Sequence, residues 1–291
     1  MPQRFHVHCI ACLVLAISVP AAASAQQMLV WKFSTGDVFF VEEVVLQEQS
    51  VTIGDRTDTK KTRQTTITQF RVLNATPNGN VDLEITIESI LDGGGQSNDV
   101  TRRISGSKFE LTLDSKGQLN RFDGYSNFIK RVANGNIQFE RLFQSVLSED
   151  TLQQTMVQLL TSVPGTPVNR GQSWQQKHTL NVGPFGTLEV DRSFSHKGVV
   201  NRDGGSFVNV GLMGAAKYRL PDPDKSRLPF KVTKGALKVD RFQGSGSFDL
   251  QRQRMQTLDV ELHVTGILTI SVGPQQAELT IDQTQTSTLR V

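Results

Sequence analysis

The stretch VELHVTGILTISVGPQQAELTID, residues 260–282, decides the fold. Apolar side chains alternate with polar ones along it, and Gly273-Pro274 interrupts the alternation with a turn signal. Successive side chains of a β-strand point to opposite faces, so this pattern predicts antiparallel strands with one buried face and one face in water. The same alternation over residues 81–87 and 109–114, on either side of Asp92-Gly-Gly-Gly95, extends the prediction toward the N-terminus.

A different period appears between residues 125 and 163, where apolar residues recur at spacings of three and four. This spacing predicts two helices. Ser148 is the expected cap of the second helix, and Glu149 and Asp150 fall in its first turn, where carboxylates meet the positive end of the helix dipole. The predicted buried stripes are Ile137, Leu142, Val146, Leu152, Met156, Leu159 and Leu160.

Together these patterns predict a mainly β (α+β) fold, in which a long antiparallel β-meander carries a central pair of helices. The expected divisions are an N-terminal meander (26–124), a helical insertion (125–163) and a C-terminal meander (164–291), with a single domain over 26–291 as the alternative. Residues 106–111 and 246–250 echo each other. That echo indicates either a duplicated half-barrel or convergent turn chemistry.

The first 25 residues have the three parts of an export signal. Arg4 supplies a positive start, residues 9–19 form an apolar run, and Ala23-Ser24-Ala25 offers the small-x-small pattern for cleavage between Ala25 and Gln26. The apolar run is shorter than the ~20 residues that cross a bilayer. We therefore predict a soluble exported protein of the periplasm or the extracellular space, without a transmembrane anchor.

Both cysteines of the chain, Cys9 and Cys12, lie inside this segment. A lipid-modified cysteine would stand at the end of the apolar run, whereas Cys12 stands near its beginning, so cleavage is expected to remove both. The remaining chain would then depend on its sheet core and not on disulfides. Its 30 basic and 28 acidic residues are interspersed and form no basic stripe with aromatic residues, so no nucleic-acid partner is predicted.

A search for reactive motifs finds none. His178, His196 and His263 have no second histidine or carboxylate at the spacing of a metal site, and residues 244–247 lack the spacing of a nucleophile elbow. Residues 222–226 begin like a calcium loop but lack its glycine and its closing glutamate, which favours a turn. The sequence therefore predicts no catalytic, metal-binding or cofactor-binding residue and no cofactor.

Several of these features recur together in one known family. They are the opening Trp31-Lys-Phe-Ser-Thr-Gly-Asp37, the run Leu111-Thr-Leu-Asp114 with Gly117, a helical block ending at Val163-Pro164, and Gly171-Gln-Ser-Trp174. The succession resembles a family of exported, β-rich bacterial proteins of unknown function, seen largely in planctomycetes, and covers nearly the whole chain after residue 25. The resemblance implies export and a β-rich fold, and it implies no activity.

The predicted function is that of an exported, non-catalytic protein of the cell envelope that binds or carries an apolar ligand between sheet and helices. At the level of fold alone the pattern resembles lipoprotein-carrier half-barrels. The expected helical wall of the ligand site is Leu142, Val146, Leu152, Met156 and Leu160. Three alternatives stay open: the same residues fill a dry core, the protein is a structural or interaction module for an unknown envelope partner, or it is an undetected hydrolase.

Overall fold

A computed structural model of the chain describes residues 26–181, 185–202, 204–221 and 230–291. The predicted signal segment, with Ala25 of its cleavage site, lies outside the described residues, and so does the turn over residues 222–226.

Within the described residues, long strands dominate. In chain order they are β1 (Gln27–Met28), β2 (Val38–Ile53), β3 (Arg56–Ala75), β4 (Val81–Asp92), β5 (Ser107–Leu113), β6 (Leu119–Asp123), β7 (Pro167–Val168), β8 (Ser173–Asn181), β9 (Thr187–Arg202), β10 (Gly205–Arg219), β11 (Lys231–Asp249), β12 (Arg254–Val272) and β13 (Gln275–Arg290). Eleven of them form one antiparallel sheet in the order β6-β5-β4-β3-β2-β13-β12-β11-β10-β9-β8, and β1 pairs with β7. The predicted mainly β meander is confirmed.

The deciding stretch forms β12 and β13, which pair from Val272 opposite Gln275 to Thr257 opposite Arg290. The apolar runs at 260–264 and 268–272 belong to one continuous strand, because their alternation stays in phase. β13 also pairs with β2, the first long strand of the chain, from Leu279 opposite Ile53 onward. The N-terminal and C-terminal strands therefore meet in the middle of the sheet.

The helical layer differs in detail from the expected pair. Residues 125–163 form α2 (Tyr125–Ala133), α3 (Ile137–Val146), α4 (Glu149–Val157) and a 3₁₀ turn (Leu160–Ser162). α2 ends at Asn134 and Gly135, which both have positive φ. The Asn136 side chain then caps the start of α3. The block therefore contains three α-helices where two were predicted. The predicted cap of α4 is confirmed, since Ser148 Oγ accepts the Thr151 amide.

A short helix, α1 (Asp99–Ile104), was not predicted. It lies between β4 and β5, and the Asn98 side chain accepts the amides of Val100 and Thr101 at its start. The sequence signal is a capping asparagine three residues after the last glycine of the loop, but six residues are too few for a visible helical period.

The packed core lies near one end of the long strands. Along β3 and β11 the buried positions cluster near the C-terminal ends, and along β10 near the N-terminal end. Because neighbouring strands are antiparallel, the C-terminal ends of β3 and β11 and the N-terminal end of β10 lie along the same edge of the sheet. There the Phe109 ring of β5 is fully buried and packs against the Phe128 ring of α2, with 5.4 Å between the ring centroids.

Replacing Phe109 by alanine should lower the free energy of unfolding by ~3–5 kcal/mol, because it opens a cavity in this core. The matched control is Lys108→Ala on the opposite face, where the lysine has an exposed ion pair with Glu84 and where a loss below ~1 kcal/mol is expected. Urea denaturation measures both. Equal losses for the two variants would contradict the placement of Phe109.

Candidate functional site

A cavity of about 340 Å³ lies between the sheet and the C-terminal end of α4. Eleven of its eighteen lining residues are apolar. The apolar ones are Leu159, Leu188, Val190, Leu212, Ala216, Val239, Phe242, Leu258, Val260, Leu262 and Leu289, and the polar ones are Glu43, Thr155, Gln158, His178, Arg192, Gln285 and Ser287. The strands contribute most of this lining, and the helical layer contributes only Thr155, Gln158 and Leu159.

The cavity requires the sheet to curl. Glu43 on β2 and His178 on β8 both line it, although six strand-to-strand steps separate them. In a flat sheet six steps span about 29 Å, far more than a cavity of this volume can bridge. The strands from β8 to β2 therefore wrap around the cavity.

The Trp174 indole of β8 makes two contacts that position the segment after α4. The Trp174 indole donates to the Ser162 carbonyl at 3.1 Å, at the end of the 3₁₀ turn. The same indole stacks on the Phe194 ring of β9, with 5.6 Å between ring centroids. These contacts fix the segment after α4 at the edge of the sheet, beside the cavity.

Arg192 is the most unusual residue of the cavity wall. It lies on β9, directly opposite Gln176 of β8 and Gly214 of β10. Its side chain is only 5% exposed, yet among the described residues no hydrogen bond or ion pair joins it, and its Nε has no partner. Its guanidinium lies 5.8 Å from the centre of the Phe194 ring.

The environment of Arg192 opposes its charge. Burial lowers the pKa of the guanidinium to about 10, which still leaves it protonated at neutral pH. A buried cation without a carboxylate partner is rare, because removing the charge from water is costly unless another charge offsets it.

His178 lies beside Arg192 on the same side of the sheet. Neither of its ring nitrogens has a hydrogen-bond partner. Burial, and then the positive charge of Arg192, lower the pKa of the His178 imidazole to about 4, against a smaller opposing effect of Asp191. The ring is therefore neutral at neutral pH and can donate one hydrogen bond and accept another.

A second cavity of about 310 Å³, lined mostly by polar residues, adjoins the first between α4 and β8. The two cavities share Gln158, His178 and Arg192. The rest of the second lining is Gln154, Val157, Thr161, Gln176 and Lys177. The side-chain oxygens of Gln154 and Gln176 are also buried without a partner. We call this second space the polar mouth, since Arg192 marks the border between it and the apolar cavity.

The far side of the apolar cavity carries the opposite charge. Glu43 of β2 lines the cavity there and accepts a hydrogen bond from the Ser287 hydroxyl of β13 at 2.7 Å. Unlike Arg192, Glu43 thus has a partner. The cavity has a cationic end at β9 and an acidic end at β2.

The structure separates the five residues of the predicted ligand wall. Leu152 and Leu160 are buried in the core, and Met156 packs against it. Leu142 and Val146, on α3, are exposed. None of the five lines the apolar cavity, where Leu159 is the apolar residue of the helical layer instead.

Sequence reasoning missed Arg192, although a signal for it exists. Leu188, Val190, Phe194 and His196 occupy the buried phase of β9, and Arg192 stands in the same phase. A charged residue at an apolar position of an alternating strand needs a partner or a ligand.

The three histidines do not form a common site. His196 is buried on β9, where burial lowers its pKa, and the Nε2 atom of His263 lies 2.9 Å from the Asp282 carboxylate. No group of three or more potential metal-ligating side chains is found in the part of the chain that the structure describes. In the apolar cavity, the Ser287 hydroxyl donates to Glu43 and not to His178, so the hydrogen bond of a nucleophile to a histidine base is not formed.

Comparison with known proteins finds one family, without a known function, whose model matches part of the chain. The model of the family of unknown function DUF6263 matches residues 56–199, from β3 into β9. No curated protein matches the chain. In the described part of the chain, every helix is too short or too polar to cross a membrane.

Two solved structures show only a remote likeness. One is a DUF1329 family protein from Desulfovibrio piger, with 10% identity over 83% of each chain and a TM-score of 0.14. The other is the COG4313 outer membrane channel from Pseudomonas putida F1, with 8% identity over 89% of this chain and 97% of that one and a TM-score of 0.14. These scores are too low to indicate a shared fold.

The environment of His178 predicts a pH dependence of stability. Because its pKa is about 4 in the folded protein and near 6.5 in the unfolded chain, the unfolded state binds the proton first as the pH falls. The free energy of unfolding should therefore fall between pH 6.5 and 4, with His178 contributing ~1–2 kcal/mol after solvent screening of its half-buried ring.

Urea denaturation at pH 7 and pH 4.5 measures this contribution. The variant His178→Gln should lose less stability than the wild type between the two values. Thr179→Gln, on the exposed face of the same strand, should behave like the wild type. An unchanged pH dependence in His178→Gln would show that this imidazole does not stay neutral in the fold.

Proposed function

We propose that the protein binds an apolar ligand in the cavity between the sheet and α4, as a non-catalytic binding or carrier protein. The observation that carries this proposal is the apolar cavity of about 340 Å³, a volume within the ~300–1,000 Å³ range of small-molecule sites. Its mostly apolar wall with a few polar groups at two ends is the composition typical of such sites.

The packing around the cavity supports a ligand site over a dry core. Protein interiors leave few voids larger than a water molecule. Phe242, Val260 and Leu262 face the cavity and are only partly buried, so apolar surface there has no partner from the protein. A ligand with an apolar body would cover that surface and gain the free energy of its burial.

Where the protein acts is part of the same proposal. We propose that residues 1–25 direct export, that cleavage falls between Ala25 and Gln26, and that the protein acts in the periplasm or outside the cell. We also propose that residues 26–291 fold as one domain, and the pairing of β2 with β13 supports this.

One further observation favours a second candidate, the envelope interaction module. Leu142 and Val146, one helical turn apart, are exposed on one face of α3, and exposed apolar patches often mark contact sites. A partner protein captured by the wild type and lost on Leu142→Glu would favour this role.

Filling the cavity should abolish ligand binding. Ala216 of β10 lines the cavity, so Ala216→Phe should weaken the binding of the neutral fluorescent probe N-phenyl-1-naphthylamine at least tenfold by occupying its space. The matched control is Ala215→Phe, since Ala215 is exposed on the other face of the same strand. Fluorescence titration measures both variants. Failure of the wild type to bind the probe, or equal binding by both variants, would contradict the proposed site.

The export proposal has its own test. When the full chain is expressed in a bacterial cell, intact-mass measurement should find a mature protein beginning at Gln26. Ala25→Arg should leave the precursor uncleaved because signal peptidase needs a small residue at that position, whereas Ser24→Arg should still be processed. A wild-type protein that retains residues 1–25 would contradict export by this signal.

A further inference from the structure

We propose that the ligand is a single-chain amphiphile with an anionic headgroup, a carboxylate or a phosphate, whose head binds the guanidinium of Arg192 while its tail lies in the apolar cavity. This inference rests on the proposed function and names the chemistry of its ligand.

The first support is the uncompensated charge of Arg192. Its side chain is 95% buried, and in the described part of the chain no acidic side chain pairs with it. The nearest acid in sequence, Asp191, is on the opposite, exposed face of β9 and pairs there with Lys177 at 3.5 Å. A bound anion would supply the missing partner, and a planar guanidinium can bind a carboxylate or phosphate through two parallel hydrogen bonds.

Unpaired polar groups surround the same point. The ring nitrogens of His178 and the side-chain oxygens of Gln154 and Gln176 are all buried without partners, and these three side chains, with Arg192, line the polar mouth. The neutral imidazole can donate one hydrogen bond to an anion, whereas the two amide oxygens are acceptors that need an N–H or O–H donor. Buried polar groups in proteins are nearly always hydrogen-bonded, so this shared deficit indicates a polar ligand group among them.

The position of Arg192 matches the shape of an amphiphile. It lies on the border of two spaces, with mostly polar residues around the mouth and mostly apolar residues around the cavity. A headgroup at Arg192 therefore places an attached tail against Val190, Leu212 and Phe242. Gly214 contributes to this geometry, because a Cβ there would lie 2.3 Å from the Phe242 ring, which occupies that space beside Arg192.

The acidic residue Glu43 in the wall of the cavity determines the orientation of the ligand. Glu43 lies there as a partnered carboxylate and would repel an anionic head. The reverse arrangement, a cationic head at Glu43, would leave the buried Arg192 without a partner. The charges of the two ends thus favour an anionic amphiphile with its head at β9.

Isothermal titration with four 12-carbon probes, each below its micelle concentration, tests the inference. The probes are dodecanoate, dodecyl phosphate, dodecanol and dodecylamine. The wild type should bind at least one of the two anions on the order of tenfold or more tighter than dodecanol, as expected for a charge-assisted hydrogen bond. The tighter anion identifies the headgroup.

Arg192→Gln should remove most of this preference, with a loss of about 10–100-fold for the anion and little change for dodecanol. Arg192→Lys should keep part of it, since the charge stays and the fork of donors is lost. The matched control is Arg254→Gln. Arg254 also lies over an aromatic ring, that of Phe39, but it lines neither cavity. This variant should leave anion binding unchanged.

Stability provides a second readout that a merely structural arginine would not give. Without ligand, Arg192→Gln should unfold at a higher urea concentration than the wild type, because it removes an uncompensated buried charge. Added dodecanoate should raise the unfolding midpoint of the wild type more than that of the variant.

The outcomes separate the two proposals. Binding of dodecanol with no preference for an anion, a preference for dodecylamine, or an anion preference that survives Arg192→Gln would overturn the inference and leave the apolar site intact. Binding of none of the four probes would overturn the inference together with the proposed function.

Discussion

The structure depends on a mismatch between the length of the strands and the reach of the helices that cover them. Alternation gives long strands such as β9, β10 and β12 an apolar face along most of their length, and that face must be buried against something. The packed core covers it near one end of the strands, where α2 and its neighbours lie. Toward the middle of the sheet only the last turn of α4 and Leu159 reach across. The uncovered apolar face is what forms the cavity.

Curvature of the sheet turns that uncovered face into a cavity. Because β8 and β2 approach one cavity from six strands apart, the sheet itself supplies most of the wall. The pairing of β2 with β13 makes this possible, since it joins the first and last strands of the meander in the middle of the sheet. The cavity is therefore a consequence of topology, and its chemistry is decided by the few residues that break the apolar pattern, above all Arg192.

Much of the fold could be predicted from the sequence because it depends on local signals. Alternation at 260–282, the turn at Gly273-Pro274 and the cap at Ser148 each act within a few residues, and the structure confirms them. The position of the helices relative to the sheet depends on long-range packing, which the sequence does not show. The residues of the predicted ligand wall were therefore chosen only from the spacing of apolar residues along the helices. The period could not show that Leu142 and Val146 face outward while Phe139 and Phe143 of the same helix pack inward.

The site itself needed the register of the sheet. Sequence alone could identify Arg192 as a charge in a buried phase, but only the pairing of β8 with β9 and β10 shows Gln176 and Gly214 beside it. Likewise, His178 has no partner at a recognisable spacing along the chain. Its low pKa follows from burial and from an arginine that the fold brings close.

Photo-crosslinking can show whether the curled sheet holds an apolar tail in the space below α4. The probe is a fatty acid with a diazirine at the end of its chain, and peptide mass spectrometry locates the adducts. We expect adducts on the cavity wall of β11 and β12, at residues such as Val239 and Leu262, and their loss when unlabelled dodecanoate competes. Adducts at exposed residues of α3, such as Ile137 or Leu142, with none in the cavity, would contradict binding of the tail there.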